Sequence, residues 1–106
     1  KKIFDNIKVL KWGEIKEADI VINATSLGLK KHDRIDINFE HIGKNKLFFD
    51  VIYNPSKTHF LEKAEKNSHK TKNGLMMFIY QAHQSFTIWH DIMPQIDDEV
   101  LINITR

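Results

Sequence analysis

Cysteine is absent from the 106-residue chain. That excludes a disulfide framework, a thiolate nucleophile and a cysteine-based zinc site, and it fits a reducing, cytoplasmic setting. No apolar run approaches the roughly 18 residues that a membrane span requires; the longest, Leu75–Tyr80, falls far short. No signal peptide is visible, so no membrane partner is expected. An excess of one charge is missing too: 16 Lys+Arg against 14 Asp+Glu leave a net +2. Nearly all the cations are lysines scattered along the chain, with little of arginine's fork geometry for phosphates. The weak drive from counterion release argues against a nucleic-acid partner. Glycine is scarce, at four residues. None of Gly13, Gly28, Gly43 and Gly74 falls in a G-x-G-x-x-G pattern, so the phosphate-binding turn that opens a dinucleotide fold is lacking. Six histidines are present, but none pairs with another or with carboxylates at metal-ligand spacing. The chain opens on Lys1 without a methionine, and it is expected to be processed or cut from something longer.

What is present is a compositionally ordinary globular chain, 42% hydrophobic and 28% charged. There is no internal repeat, low-complexity tract or linker. Ile7–Leu10 is a short strand candidate. Ile20–Ala24 and Leu47–Tyr53 are continuous apolar runs rich in β-branched and aromatic residues, which reads as strands buried on both faces. Buried runs separated by helix-length connections suggest parallel βαβ units. After Pro55 the period changes. Ser56 or Thr58 can cap a helix with Phe60, Leu61 and Ala64 on one face, ending near Asn67. Ser68–Asn73 reads as a polar loop. A long helix is expected over Leu75–Trp89, apolar nearly all round and therefore buried between layers. A last helix over Asp97–Thr105 opens with acids that suit its dipole. The fold class is α/β, a partial doubly wound parallel sheet followed by two C-terminal helices.

Ligands of open α/β sheets bind beyond the carboxyl ends of the strands. That rule selects Asn23–Gly28 and Asp50–Asn54. The first offers exposed backbone, two hydroxyls and a glycine for close approach, though the same residues also make a plain turn. Tyr53 at a strand end is either a polar contact or an anchor for the sheet. Asp50, set among Phe48, Phe49, Val51 and Ile52, must be hydrogen-bonded if ionised, and it is expected to organise the site by accepting bonds from nearby backbone or hydroxyl groups. Gln81, Gln84 and Ser85 form one polar stripe on the long helix. Gly74 before it permits a tight turn.

Three motifs occur in order: A-D-I-V-I-N-A-T-S-L-G (Ala18–Gly28), F-D-V-I-Y-N-P-S-K-T-H-F-L (Phe49–Leu61), and N-G-L-M-M-F-I-Y-Q-A (Asn73–Ala82) with S-F-T-I-W (Ser85–Trp89). Together they resemble the shikimate dehydrogenase family, over nearly the whole chain. The resemblance implies the C-terminal part of a Rossmann-like NADP-binding domain, spanning residues 1–106. It further implies NADPH-dependent, reversible reduction of 3-dehydroshikimate to shikimate in aromatic amino-acid biosynthesis. Carried over residue by residue, Asn23, Thr25, Val51 and Gly74 would bind the cofactor, NADP, while Tyr53 and Gln81 would hydrogen-bond the substrate. The long helix would pack toward an N-terminal substrate domain.

The departures from the family pattern are equally specific. The family's catalytic Lys and Asp belong to the N-terminal substrate domain, which this sequence lacks, so no catalytic residue is assigned. The glycine-rich turn and the Asn-Arg-Thr-type segment that selects the 2′-phosphate are missing, and Lys1–Phe4 would be the end of the helix that follows them. The chain alone is expected to be inactive. The alternatives are a quinate/shikimate dehydrogenase using NAD, and a non-catalytic binding module that keeps half a Rossmann sheet.

Overall fold

The structure, a computed structural model, describes residues 3–105. Two units make up the chain, one ending at Asn73 and the other beginning at Gly74. The first holds a three-stranded sheet: β1 (Ile20–Asn23), β2 (Leu47–Asp50) and β3 (Lys70–Lys72), with α1 (His59–Lys66) between β2 and β3. All the strands are parallel and adjacent in chain order. Asn23 pairs with Asp50, so β1 and β2 end level; Leu47 pairs with Lys70 across β2 and β3. The second unit holds α2 (Leu75–His90) and α3 (Asp98–Thr105). The fold class is therefore α/β with two helices after the sheet. No described helix is long and apolar enough to cross a membrane.

β2 is the sheet's centre because both its edges are paired. Phe48 is fully buried and meets Phe60 of α1 and Phe39 at ring distances of 5.5 Å each. Ile35, Ile42, Leu61 and Ala64 complete this core. α1 begins where expected: the Thr58 side chain accepts from the Leu61 N–H, and Phe60, Leu61 and Ala64 are its buried residues. His69, also buried, lies 4.7 Å from the Phe48 ring. Its Nδ1 accepts from the Lys46 N–H. Burial, then the Lys46 charge, hold its pKa below the ordinary imidazole value.

Several expectations are corrected. Ser68–Asn73 is not a plain loop, since Lys70–Lys72 forms β3. It pairs with β2 on one edge only, where two exposed lysines are tolerated and discourage further pairing. β1 is not buried on both faces: Ile20 and Ile22 are 56% and 59% exposed, because α1 covers only the opposite face, with β2 and β3 beneath it. The connection from β1 to β2 contains no helix. Its apolar Ile35, Ile37 and Phe39 recur every second residue, a spacing that turns them to one side of an extended chain, and all three join the core. Ile7–Leu10 forms no strand, and every one of its residues is exposed; it takes no part in the three-stranded sheet. Of the helix end expected at Lys1–Phe4, Lys1 and Lys2 lie outside the described residues, and Ile3–Phe4 are not helical.

In the second unit, α2 extends one residue past the expected end, to His90. Asp91 stops it in the left-handed conformation at φ +50°. The helix is not buried all round; Ile79 is its one buried residue, whereas Ile88 and Trp89 are each 77% exposed. α3 is capped by Asp97, whose Oδ1 accepts from the Val100 N–H at 3.0 Å. A His83 ring nitrogen lies 2.7 Å from the Pro94 carbonyl and ties the α2–α3 connection to α2.

Candidate functional site

The level ends of β1 and β2 place Asn23 beside Asp50, and both are buried, at 4% and 0% exposure. A carboxylate in that position needs donors, and it has three. The Asn23 amide donates to Oδ1 at 3.1 Å, the Ile52 N–H to Oδ1 at 3.0 Å, and the Thr58 hydroxyl to Oδ2 at 2.6 Å. Hydroxyl and backbone donors are those expected for Asp50; the Asn23 amide is an addition. One carboxylate thus joins the ends of two strands to the cap of α1.

The turn after β1 is built on Asn23 in the same way. Its Nδ2 also donates to the Leu27 carbonyl at 3.0 Å. Its Oδ1 accepts from the Thr25 N–H at 3.1 Å and from the Thr25 hydroxyl at 2.7 Å. Thr25 Oγ1 in turn accepts from the Leu27 N–H at 3.1 Å. Gly28 then turns with φ +124°, and a Cβ there would come within 3.1 Å of Ile52 Cδ1 and Thr58 Cγ2. That backbone angle and that clearance both call for glycine. The Gly28 and Lys30 N–H groups donate to Asp33 Oδ2, each at 3.0 Å. The Lys30 donation and then the Gly28 donation hold the Asp33 carboxyl below the usual carboxylate range.

A cleft of about 160 Å³ runs along β1, with Trp12, Ile15, Ile35 and Phe60 among its apolar walls and Asn23 and Thr25 supplying polar groups. Val51, half-buried, follows β2, and its N–H donates to the Asn23 carbonyl at 3.1 Å. The structure therefore brings three of the expected residues, Asn23, Thr25 and Val51, into one neighbourhood at the strand ends. Tyr53 lies two residues further along the same loop, 40% exposed. Gly74 and Gln81 belong to the second unit. Gly74 is the buried N-cap of α2 at φ −81°, a conformation open to any residue, so its backbone angles do not require a glycine. Gln81 is exposed on α2, and within the polar stripe the Ser85 hydroxyl turns back to donate to the Gln81 backbone carbonyl at 3.0 Å.

Thr58 went unrecognised as part of the site. Its signal was the helix cap, which gave its hydroxyl a sufficient role without Asp50. A larger cleft of about 550 Å³ borders the same turn on another side, lined by Lys30, Lys31, Arg34, Lys57 and His59 together with Asp33 and Glu62. Its cations are partly spent: Lys57 pairs with Glu65 at 2.8 Å, and Arg34 donates to the Lys31 and Asp33 carbonyls.

A parallel sheet whose strand ends present a hydrogen-bonded Asn-Ala-Thr turn and a buried Asp, with helices following, is the carboxyl end of a Rossmann-type α/β protein. No family model matches the chain. Individual proteins do. The chain is 54% identical over 101 residues to a shikimate dehydrogenase (NADP(+)) of Pelagibacter ubique strain HTCC1062, a match covering 95% of this chain and 38% of that protein. A crystal structure of a shikimate dehydrogenase in complex with NADP+ is 40% identical, with a TM-score of 0.57, over 73% of this chain and 28% of the other. The ligand-free 5-ketofructose reductase of Gluconobacter sp. strain CHM43 is 31% identical, with a TM-score of 0.65, over 78% and 31%. The chain belongs to the shikimate dehydrogenase family, and it spans about 38% of the length of the curated relative described here.

Proposed function

We propose that the chain is the C-terminal, cofactor-side part of an NADP-dependent shikimate dehydrogenase, an oxidoreductase that interconverts 3-dehydroshikimate and shikimate. The observation that carries this reading is the 54% identity, over 95% of the chain, to a relative of that name. NADP fits the strand-end turn: the Thr25 hydroxyl keeps an acceptor lone pair beside an apolar cleft, and Val51 offers a half-buried apolar contact next to it. When bound, the cofactor supplies or takes up the hydride, while the protein orients the reactants and handles the proton. In this reading Asn23 and Thr25 line the cofactor, Val51 and Gly74 contact it, and Tyr53 and Gln81 hydrogen-bond the substrate. The proton-transfer groups belong to a substrate domain that this sequence does not contain.

The experiment is an assay of the intact enzyme carrying this chain, with shikimate and NADP+. Gln81→Ala is expected to raise KM for shikimate and lower kcat while leaving NADP+ affinity within about twofold; a variant that lost NADP+ binding and kept its substrate parameters would refute the assignment. Tyr53→Phe is expected to cost on the order of 1–3 kcal/mol in kcat/KM if its hydroxyl meets a buried substrate group. The similarity to a 5-ketofructose reductase favours testing a second reading. Quinate and 5-ketofructose, each with NADP(H) and NAD(H), are the arms that decide it.

A further inference from the structure

Asn23, Asp50 and Thr58 come from three separate stretches of chain: the end of β1, the end of β2 and the cap of α1. All three are nearly inaccessible. A side-chain amide has two donor hydrogens and two acceptor lone pairs. For Asn23 all four are used within the chain, on Leu27, Asp50 and Thr25 twice. Nothing is left to offer a ligand. We infer that Asn23, Asp50 and Thr58 are positioning residues that set the Thr25–Leu27 turn, and that Asn23 makes no hydrogen bond to the cofactor. The description of that turn as a cofactor wall rests on the function proposed above; the coupling among the three residues does not.

The chain of bonds has a direction. The Thr58 hydroxyl donates to Asp50 Oδ2, which leaves Oδ1 to the Asn23 amide and the Ile52 N–H. Asp50 thereby fixes which end of the Asn23 amide faces it, since only the NH₂ end can donate to a carboxylate. The oxygen end is then turned toward Thr25 and receives its hydroxyl hydrogen. With that hydrogen committed and the Leu27 N–H already accepted, Thr25 Oγ1 can only accept. Thr25 Oγ1 is thus set to receive a donor from its ligand, a carboxamide NH₂ or a sugar hydroxyl, and cannot itself donate to a phosphate oxygen. Reversing the Asn23 amide would aim its NH₂ at the Thr25 N–H and its oxygen at the carboxylate. Asn23's bonds to Asp50, to the Leu27 carbonyl and to the Thr25 N–H would be lost together, while the Ile52 and Thr58 bonds to Asp50 would remain.

The test is amide exchange and NMR on the ¹⁵N-labelled intact enzyme carrying this chain, without cofactor. Thr58→Asp keeps a side-chain acceptor for the α1 cap but replaces the hydroxyl donor with a second carboxylate facing Asp50. At neutral pH the Leu27 N–H and the Asn23 side-chain NH₂ are expected to exchange about tenfold faster or more, with Leu61 still protected. Thr58→Ser is expected to restore the native rates at all these positions. Unchanged exchange at Leu27 and Asn23 in a folded Thr58→Asp variant would reduce Thr58 to a helix cap and overturn the inference. Should that variant fail to fold, the unsubstituted enzyme decides. Its Asn23 NH₂ protons should exchange far more slowly than those of exposed Asn6, and equal rates would overturn the coupling. In the intact enzyme, an NADP+-to-Asn23 amide hydrogen bond detected by NMR would overturn the assignment of Asn23 as a positioning residue. The exchange readouts use no cofactor, so a failure to bind NADP+ would remove the proposed function and leave the coupling standing.

Discussion

The two units use apolar residues in opposite ways. In the first, Phe48, Ile42, Phe60, Leu61 and Ala64 enclose one another, and a buried polar network closes the strand ends above them. In the second, α2 is the more hydrophobic helix by sequence, yet only Ile79 is buried, while Met76, Met77, Tyr80, Ile88 and Trp89 are exposed. Hydrophobic content alone therefore does not indicate a core. A residue contributes burial energy only where the described chain supplies a second surface to meet it. The first unit has its own; α2 carries more apolar surface than α3 and the 91–97 connection cover.

The largest expected effect falls on the first unit. Phe48→Ala would leave a cavity beneath the Phe39, Phe60 and His69 rings, and denaturant unfolding should show a loss of about 3–5 kcal/mol. Asp50→Ala comes next. It would strand the Asn23 amide, the Thr58 hydroxyl and the Ile52 N–H without their acceptor, and a loss of about 2–4 kcal/mol is expected by the same measurement. Both results would sharpen the contrast if Ile88→Ser in α2 changes stability by less than about 0.5 kcal/mol while reducing self-association by size-exclusion chromatography. A large loss for Ile88→Ser would break it, by showing that α2's exposed face supports the fold.

The smallest effect concerns pH. His69 has a folded pKa below the ordinary value of about 6.5, so between the two values the unfolded chain binds a proton that the folded chain does not. The stability contributed is complete above the ordinary value and is lost as pH falls toward the folded one. His59, depressed chiefly by burial and then by Arg34, acts with the same sign. His69→Phe should flatten, without abolishing, the decline of stability with acidification, as followed by thermal melts across that range. An unchanged slope would assign the pH dependence elsewhere.

The parts of the fold legible in the sequence were those whose signals are local. Ile20–Asn23 and Leu47–Asp50 are strands, although the expected runs extended further, to Ala24 and Tyr53. Thr58 caps α1 at the expected place, and α2 and α3 were placed to within a residue or so. Parallel pairing followed from the runs and the long connections between them. What failed depends on neighbours. β3 reads Lys-Thr-Lys and has no hydrophobic signature, because an edge strand is held by β2's free hydrogen-bonding groups. Ile7–Leu10 has that signature and forms no strand, because a strand also needs a neighbour to pair with and this segment pairs with none of the three. The exposure of Ile20, Ile22 and most of α2 likewise reflects which surfaces meet, a property no single segment encodes. At the site, Asp50's need for donors was legible from its apolar flanks. That Thr58 and Asn23 would be two of them was not, since they lie 8 and 27 residues away.

The shared carboxylate of Asp50 has a consequence for how this sequence can change over generations. Asn23, Asp50 and Thr58 each satisfy a partner that cannot find water, so a replacement at one position leaves a deficit at another. Their histories should be linked: lineages that alter Thr58 beyond serine should show a compensating exchange at Asp50 or Asn23, whereas the exposed residues of α2 drift singly. An alignment of close relatives would then carry the strand-end network as one heritable unit, with its three letters scattered across 36 positions.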